Sequence, residues 1–389
     1  MSELVALLKT LIEVPSPNPP GDNRAISKCV AAWLGGLGAE VRVLAPPEHP
    51  AVQSVVATIG EGSPVVMLHA HSDTVPVGET EADRWTSDPF SALECDGRIY
   101  GKGSVDDKGP LTAMMMAFKT LATRSDRRGT LVLVAAADEE MGGQLGTRWL
   151  AESGHLPECD FIVVGEQTFN RVATAHKGVM RATVTTRGHS VHATNPDRGV
   201  NAINAMAHVL LALEAYHEAL SERVHPLVGV PTCNVGVIQG GSTANAVADQ
   251  CVIRLDRRMI PGENPEDVQR ELEAVIQSAT IAPAKVEIAE FQYSSPFQSR
   301  LETPFGRAFL EISSAATGAP LEPIGYLPGS DAKHLMKLVR GDMVIFGPGS
   351  YEVAHAFDEY VEIAELEQCE AVITGFLESY MLEGAVSRV

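Results

Sequence analysis

Positive charge is scarce in this chain. Thirty lysines and arginines stand against 50 aspartates and glutamates in 389 residues, a formal charge of -20. That balance argues against a nucleic acid or an anionic membrane surface as partner. It leaves the substrate open, because a local basic pocket fits inside an acidic protein. Cysteine is sparse too: Cys29, Cys95, Cys159, Cys233, Cys251 and Cys369 are scattered and form no C-x-x-C pair. In a chain this long the pattern points to reduced thiols in a cytoplasm, not to a disulfide framework. No uninterrupted apolar run is long enough to span a bilayer. Residues 1–15 lack a basic stretch followed by an apolar core, so no signal peptide is expected. What remains is a hydrophobic content of 45% with near-neutral hydropathy, which suits a globular enzyme. The length exceeds one ordinary hydrophobic core, and two domains are expected.

The informative stretch is Val65-Val66-Met67-Leu68-His69-Ala70-His71-Ser72-Asp73. Its short, β-branched apolar run reads as a buried strand that ends at polar groups. His71 falls at the strand end. Asp73, two residues on, can accept a hydrogen bond from the imidazole nitrogen that does not face a ligand, as around many metal sites. A core-edge histidine beside a surface aspartate fits this stretch equally well.

Other segments end the same way. Gly101 to Pro110 is a glycine-rich turn into the apolar helix Leu111 to Leu121. It lacks P-loop spacing, and taken alone its Asp106-Asp107 reads as a helix N-cap. The strand Thr130 to Ala137 runs into Asp138-Glu139-Glu140. Three adjacent acids after a buried strand call for a neutralising cation. Phe161 to Val164 is followed by Gly165-Glu166, and Met343 to Phe346 by a loop carrying His355. A parallel sheet brings the carboxyl ends of its strands to one edge. Imidazoles and carboxylates gathered there are the ligand set of zinc, or of a harder divalent ion where oxygen dominates.

The expected fold is α/β: a mixed, mostly parallel sheet with helices on both faces. Helices are expected at 2–13, 22–35, 303–314 and 363–381, and residues 78–100 read as irregular with a hairpin at Asp96-Gly97. After Lys177 the pattern changes to β-α-β-β-α-β, a ferredoxin-like α+β insert. The expected domains are 1–177, 178–291 and 292–389.

Taken in order, His71-x-Asp73, Gly103-x-x-Asp106, Glu139-Glu140, Gly165-Glu166 and His355 resemble the M20 family of co-catalytic metallohydrolases. That family includes acetylornithine deacetylases, succinyl-diaminopimelate desuccinylases, aminoacylases and glutamate-type carboxypeptidases. The resemblance covers essentially the whole chain and implies a zinc-peptidase type of main domain. It implies that His71, Glu166 and Asp106 hold one divalent metal and that Asp106 bridges to a second, bound by Glu140 and His355. Zinc is the first expectation, with cobalt or manganese as alternatives. Asp73 would orient His71, and Glu139 would be the general base. Asp107 stands where many relatives have an apolar residue, so Asp106 is preferred by register alone, and a cis peptide is expected just after it. In the insert, Gly188-His189-Ser190-Val191-His192 resembles the dimerisation segment, where His192 would reach the active site of the second subunit of a homodimer. Asn245 and Arg258 match positions that bind a substrate carboxylate.

The resemblance implies an amidohydrolase that cleaves an N-acyl amino acid or small dipeptide-like substrate. A glutamate-type carboxypeptidase is the alternative, and a metal-binding protein without catalysis is a remote one. His69-Ala70-His71 also fits the H-x-H of amidohydrolases on a TIM barrel, but that fold has no ferredoxin-like insert. His69 is then a packed or supporting histidine.

Overall fold

The computed structural model describes residues 1–78 and 81–383. The chain folds as two compact units, one of residues 1–174, 299–326 and 330–389, the other of 175–298 and 327–329. Sequence alone placed the insert at 178–291. The second unit is wider because the short strands Ala173–His176 and Phe297–Gln298, which pair antiparallel, carry the chain in and out.

In the first unit, four strands pair in parallel at the centre of the sheet. In spatial order they are Gly129–Ala136, Val65–His71, Cys159–Val164 and Val339–Ile345. Their apolar, branched residues are buried on both faces, which is why they read as near-continuous hydrophobic runs. Parallel pairing stops there. Ser54–Glu61 and Glu40–Leu44 extend one side antiparallel, and Ala173 pairs antiparallel with Ile345 on the other. The sheet is therefore mixed, with its parallel part confined to the strands that carry the site.

Helices complete the core. Glu3–Ile12 is capped by Ser2, whose hydroxyl accepts the Val5 N–H, and it buries Leu4, Leu7, Leu8 and Leu11 at helical spacing. Lys108–Ala122, Pro304–Thr317 and Ile363–Met381 share one apolar cluster with it. Asp22 does not cap the second helix. Asn23 holds that position, while Asp22 accepts the Arg24 N–H from one residue earlier. Leu93–Cys95 and Arg98–Tyr100 form the hairpin expected at Asp96-Gly97, both turn residues having positive φ, and Tyr360–Glu362 adds a third strand. Residues 79–80 of that irregular segment lie outside the described residues.

The second unit is a four-stranded antiparallel sheet with two helices. Its elements run Gly178–Arg187, Ala202–Ala219, Thr232–Gly240, Gln250–Met259, Pro265–Ser278 and Lys285–Ser294, the β-α-β-β-α-β order. Gly178–Arg187 and Gln250–Met259 are central and alternate buried with open positions. Asn201 and Asn264 cap the helices through their side-chain oxygens.

Candidate metal centre

The carboxyl ends of the parallel strands meet at one edge of the first unit. There His71, Asp106 and Glu166 place one ligand atom each within 4.8 Å of one another, and so do Asp106, Glu140 and His355. Asp106 belongs to both groups. His71 Nε2 is 3.0 Å from Asp106 Oδ1, and His355 Nε2 is 3.1 Å from both Asp106 Oδ2 and Glu140 Oε2. Asp106 and Glu166 are buried and the Glu140 side chain is largely covered, whereas His355 exposes 52% of its side chain. His355 also has φ 60°, a left-handed backbone that a histidine adopts only where its surroundings hold it.

The ligand edge is braced from behind. His71 Nδ1 lies 3.0 Å from the main-chain oxygen of Asp73. A carbonyl only accepts, so Nδ1 carries the proton and Nε2 is the nitrogen turned to the ligand group. The Asp73 carboxylate is 3.6 Å from Nδ1, too far for a hydrogen bond. It accepts instead from the Glu139 and Glu140 N–H groups and from Asn18 Nδ2. Asp73 thus grips His71 by its backbone and the Glu139-Glu140 turn by its side chain. Asp106 rather than Asp107 faces both histidines, across a cis Asp106-Asp107 peptide. Asp107 precedes the helix without capping it through its side chain, and its Oδ2 accepts the His71 N–H.

Glu359 ties two loops of the site together. Its carboxylate pairs with Lys102 Nζ at 2.9 Å and accepts the Val105 and Asp106 N–H groups, so the loop after His355 holds the loop of Asp106. All of this is buried. The turn holding Glu139 is fixed from the other side. Gly143 has φ 74°, and a Cβ there would lie 2.2 Å from Asp331 Oδ1, so only glycine lets that turn approach the segment Asp331–His334. Within that segment Lys333 Nζ stands 3.7 Å from Glu139 Oε1, and His334 Nε2 donates to the Gly142 carbonyl. His69 is packed rather than turned to the ligand group. The Thr147 hydroxyl gives its proton to Asp331, so His69 Nε2 donates to Thr147 at 2.7 Å.

The electrostatics of this edge follow from burial. Burial raises the Glu139 carboxyl to about 8, with Lys333 opposing and Asp331 reinforcing the shift. Burial likewise raises Glu140, Asp107 and, well above its usual range, Glu166. Burial also disfavours the charged form of His71, but the Asp106 and Asp73 carboxylates outweigh it and its pKa lies well above normal. Hydrogen bonds to Asp106 and Glu140 raise His355 to about 10. The donor set is two imidazoles and at least three carboxylates, with the acids crowded in low dielectric and one shared between two groups. That chemistry fits a pair of divalent cations.

A family model for peptidase family M20/M25/M40 matches residues 67–379. The chain belongs to this family. Membership makes it a hydrolase of amide bonds. Among its M20 relatives, an acetylornithine deacetylase of Pectobacterium atrosepticum is 31% identical over 380 residues, covering 95% of this chain and 96% of the relative. One from Proteus mirabilis is 28% identical over 387 residues, 97% of each. Two solved structures share the fold. An M20 metallo-carboxypeptidase of Sulfolobus solfataricus has a TM-score of 0.77 at 20% identity, covering 97% of this chain and 99% of that one. A dinuclear metal-binding M20 peptidase of Bacillus subtilis has 0.71 at 18% identity, covering 96% of each.

The residues expected to meet the substrate lie in the second unit. His192 is exposed, with Nδ1 3.0 Å from the Thr194 hydroxyl. Asn245 is exposed and accepts from the Thr243 hydroxyl. Arg258 is half-buried and donates to Asp256. Strand alternation separates it from Arg257, which is fully buried and bonded to Tyr216 and Glu263. Sequence reasoning missed Lys333, Tyr326, Lys102 and Glu359. The need for a cation beside Asp138-Glu139-Glu140 was legible, but its source almost 200 residues away was not.

Proposed function

We propose that this hydrolase is a two-metal amidohydrolase that removes the acyl group from an N-acyl amino acid. The observation that carries the reading is the pair of ligand groups sharing Asp106, with Glu139 next to the ligand Glu140. His71, Asp106 and Glu166 would hold one ion, and Asp106, Glu140 and His355 the other. When bound, such ions supply Lewis-acid polarisation of the amide carbonyl and acidify water. Zinc suits the mixture of imidazole and carboxylate, and cobalt or manganese are the alternatives.

Glu139 takes the proton of the attacking water and returns it to the departing amine. Lys333 steadies its carboxylate as that proton comes and goes. Asp73 holds the Glu139-Glu140 turn through its carboxylate and the His71 imidazole through its main-chain carbonyl. Arg258 reads the substrate carboxylate through a planar two-pronged contact, and Asn245 supplies a separate polar contact to it. His192 of the partner subunit donates a hydrogen bond to the developing oxyanion.

A homodimer is part of this reading. Thr232–Gly240 is an edge strand of the second unit, and Val237 and Ile238 on it are 43% and 54% exposed. An edge strand with exposed apolar side chains suits pairing across a two-fold axis. The cytoplasm is proposed as the compartment, in keeping with six free cysteines.

The test is a hydrolysis screen with the zinc-, cobalt- and manganese-loaded protein against N-acetyl, N-succinyl and N-formyl amino acids and dipeptides. N-acetylornithine comes first because relatives bear that name. Turnover of acyl amino acids that stops on chelation is expected. Hydrolysis of dipeptides alone would shift the reading to a peptidase, and turnover by a fully metal-free protein would refute it.

A further inference from the structure

Glu166 is held by a hydroxyl that the reaction scheme leaves without a role. Tyr326 closes the short strand Ile324–Tyr326, and its ring is buried. Its hydroxyl oxygen is 2.9 Å from Glu166 Oε2 and 2.8 Å from Gln167 Oε1. The ring of Tyr351 stands edge-on to it, with centroids 6.1 Å apart.

A phenol has one proton to give, and here two oxygens face it. As a metal ligand Glu166 is a carboxylate, which only accepts, so in that state it receives the phenol proton. Turning over the Gln167 side-chain amide points its N–H at the phenol oxygen but turns its own oxygen toward Glu166 Oε2. The result is a short chain of donors, Gln167 to Tyr326 to Glu166. In the other orientation Gln167 Nε2 lies 3.4 Å from the same Glu166 Oε2. In both cases the Tyr326 hydroxyl donates to that carboxylate oxygen and restricts rotation of the group. The ligands of the other triad are held differently: Glu140 Oε1 accepts the Val75 N–H, and His355 sits on a loop fixed by Glu359.

We propose that Tyr326 is a positioning residue for Glu166 that sets the metal affinity of the His71–Asp106–Glu166 group and not that of Asp106–Glu140–His355. The proposal rests on the two-metal reading. A hydrogen bond to a ligating carboxylate fixes its orientation toward the metal, and outer contacts of this kind are typically worth about 10–100-fold in affinity. Tyr326→Phe removes one oxygen and leaves the packing of the ring, so it isolates this bond.

The experiment titrates zinc and cobalt into chelator-stripped wild type, Tyr326→Phe and Gln167→Leu by calorimetry, with the cobalt visible spectrum as a second readout. The melting temperature of each stripped protein is also recorded. Wild type should take up two ions. Tyr326→Phe should keep both sites, one weakened about 10–100-fold and the other unchanged, with an altered cobalt spectrum only for the weakened site. Gln167→Leu should weaken the same site by less. The stripped proteins should melt together. Unchanged affinities in Tyr326→Phe beside a two-site wild type would overturn the proposal while leaving the two-metal reading intact. Equal loss at both sites, or a lowered melting temperature of the stripped variant, would also overturn it, since the hydroxyl would then support the edge as a whole. A wild type that binds neither ion would overturn both readings together.

Discussion

The candidate ligand edge of the first unit and the proposed substrate residues of the second are built in opposite ways. Asp106, Glu166 and Glu140 are shielded from solvent, and the residues around them are cross-braced: Glu359 alone accepts from Lys102, Val105 and Asp106. Among the described residues, the side chains of His192, Asn245 and Arg258 hydrogen-bond only locally, with Thr194, Thr243 and Asp256, each two residues away in sequence. A site that must hold highly charged ions needs donors fixed in advance, because reorganisation would weaken binding. A residue that meets a substrate which arrives and leaves needs freedom and solvent access. The contrast separates side chains braced over long sequence distances from side chains held only by their near neighbours.

The strongest way to break the comparison is to take away what the braced edge is built for. Chelation should abolish turnover, and added divalent metal should restore it, followed by elemental analysis of the same samples. Glu139→Gln should come next, losing about 10²–10⁴-fold in kcat while two metals stay bound. If it loses metal instead, Glu139 is a ligand and the two glutamates exchange roles.

The proposed substrate residues should give effects of a different kind. Arg258→Ala should raise KM for N-acyl amino acids by about 10–100-fold, as expected for a lost charged hydrogen bond of about 1.5–3 kcal/mol, with kcat nearly kept. An amide-capped substrate should then be handled alike by variant and wild type. Mixing inactive His192→Ala with inactive Glu139→Gln should restore activity after subunit exchange, because one site of a mixed dimer receives Glu139 from one chain and His192 from the other. Exchange without recovery would keep His192 within its own subunit.

The smallest effect concerns the second unit alone. The Arg223 side chain, with Tyr216 assisting, lowers the Glu271 carboxyl below its usual 4.5. A carboxylate lowered in the fold stabilises it above the unfolded pKa and stops doing so as pH falls through the folded value. The pair is partly exposed, so Arg223→Ala should cost only about 0.5–1 kcal/mol at pH 7. That difference in urea midpoint should shrink as the pH drops below about 4.5.

Local pattern was enough for much of this. The helix at 363–381 appears with the expected bounds, since its apolar residues recur at helical spacing over five turns. The Asp96-Gly97 hairpin follows from turn chemistry alone. Short elements escaped. Ile324–Tyr326 and Ala332–Leu335 hold three and four residues, fewer than any periodicity needs to declare itself, yet they carry Tyr326 and Lys333 to the site. The Asp73 carboxylate illustrates a second limit. Its place two residues after His71 suggested a bond to the imidazole, but the backbone carbonyl took that bond and the carboxylate went to Glu139 and Glu140. Spacing tells which groups are near, not which of two nearby acceptors wins.

By itself the sequence determined the longer strands, the order of the insert and the acids and histidines at the strand ends, because burial period and turn chemistry are local properties. Only the tertiary structure decided that Asp106 and not Asp107 joins both ligand groups, that Lys333 and Asp331 flank Glu139, and that Glu359 and Tyr326 hold the ligand loops. Those choices depend on contacts between residues up to 257 positions apart. Long-range hydrogen bonds in a buried, low-dielectric edge are fixed by how the sheet and its loops close on one another, and no local window of residues contains that information.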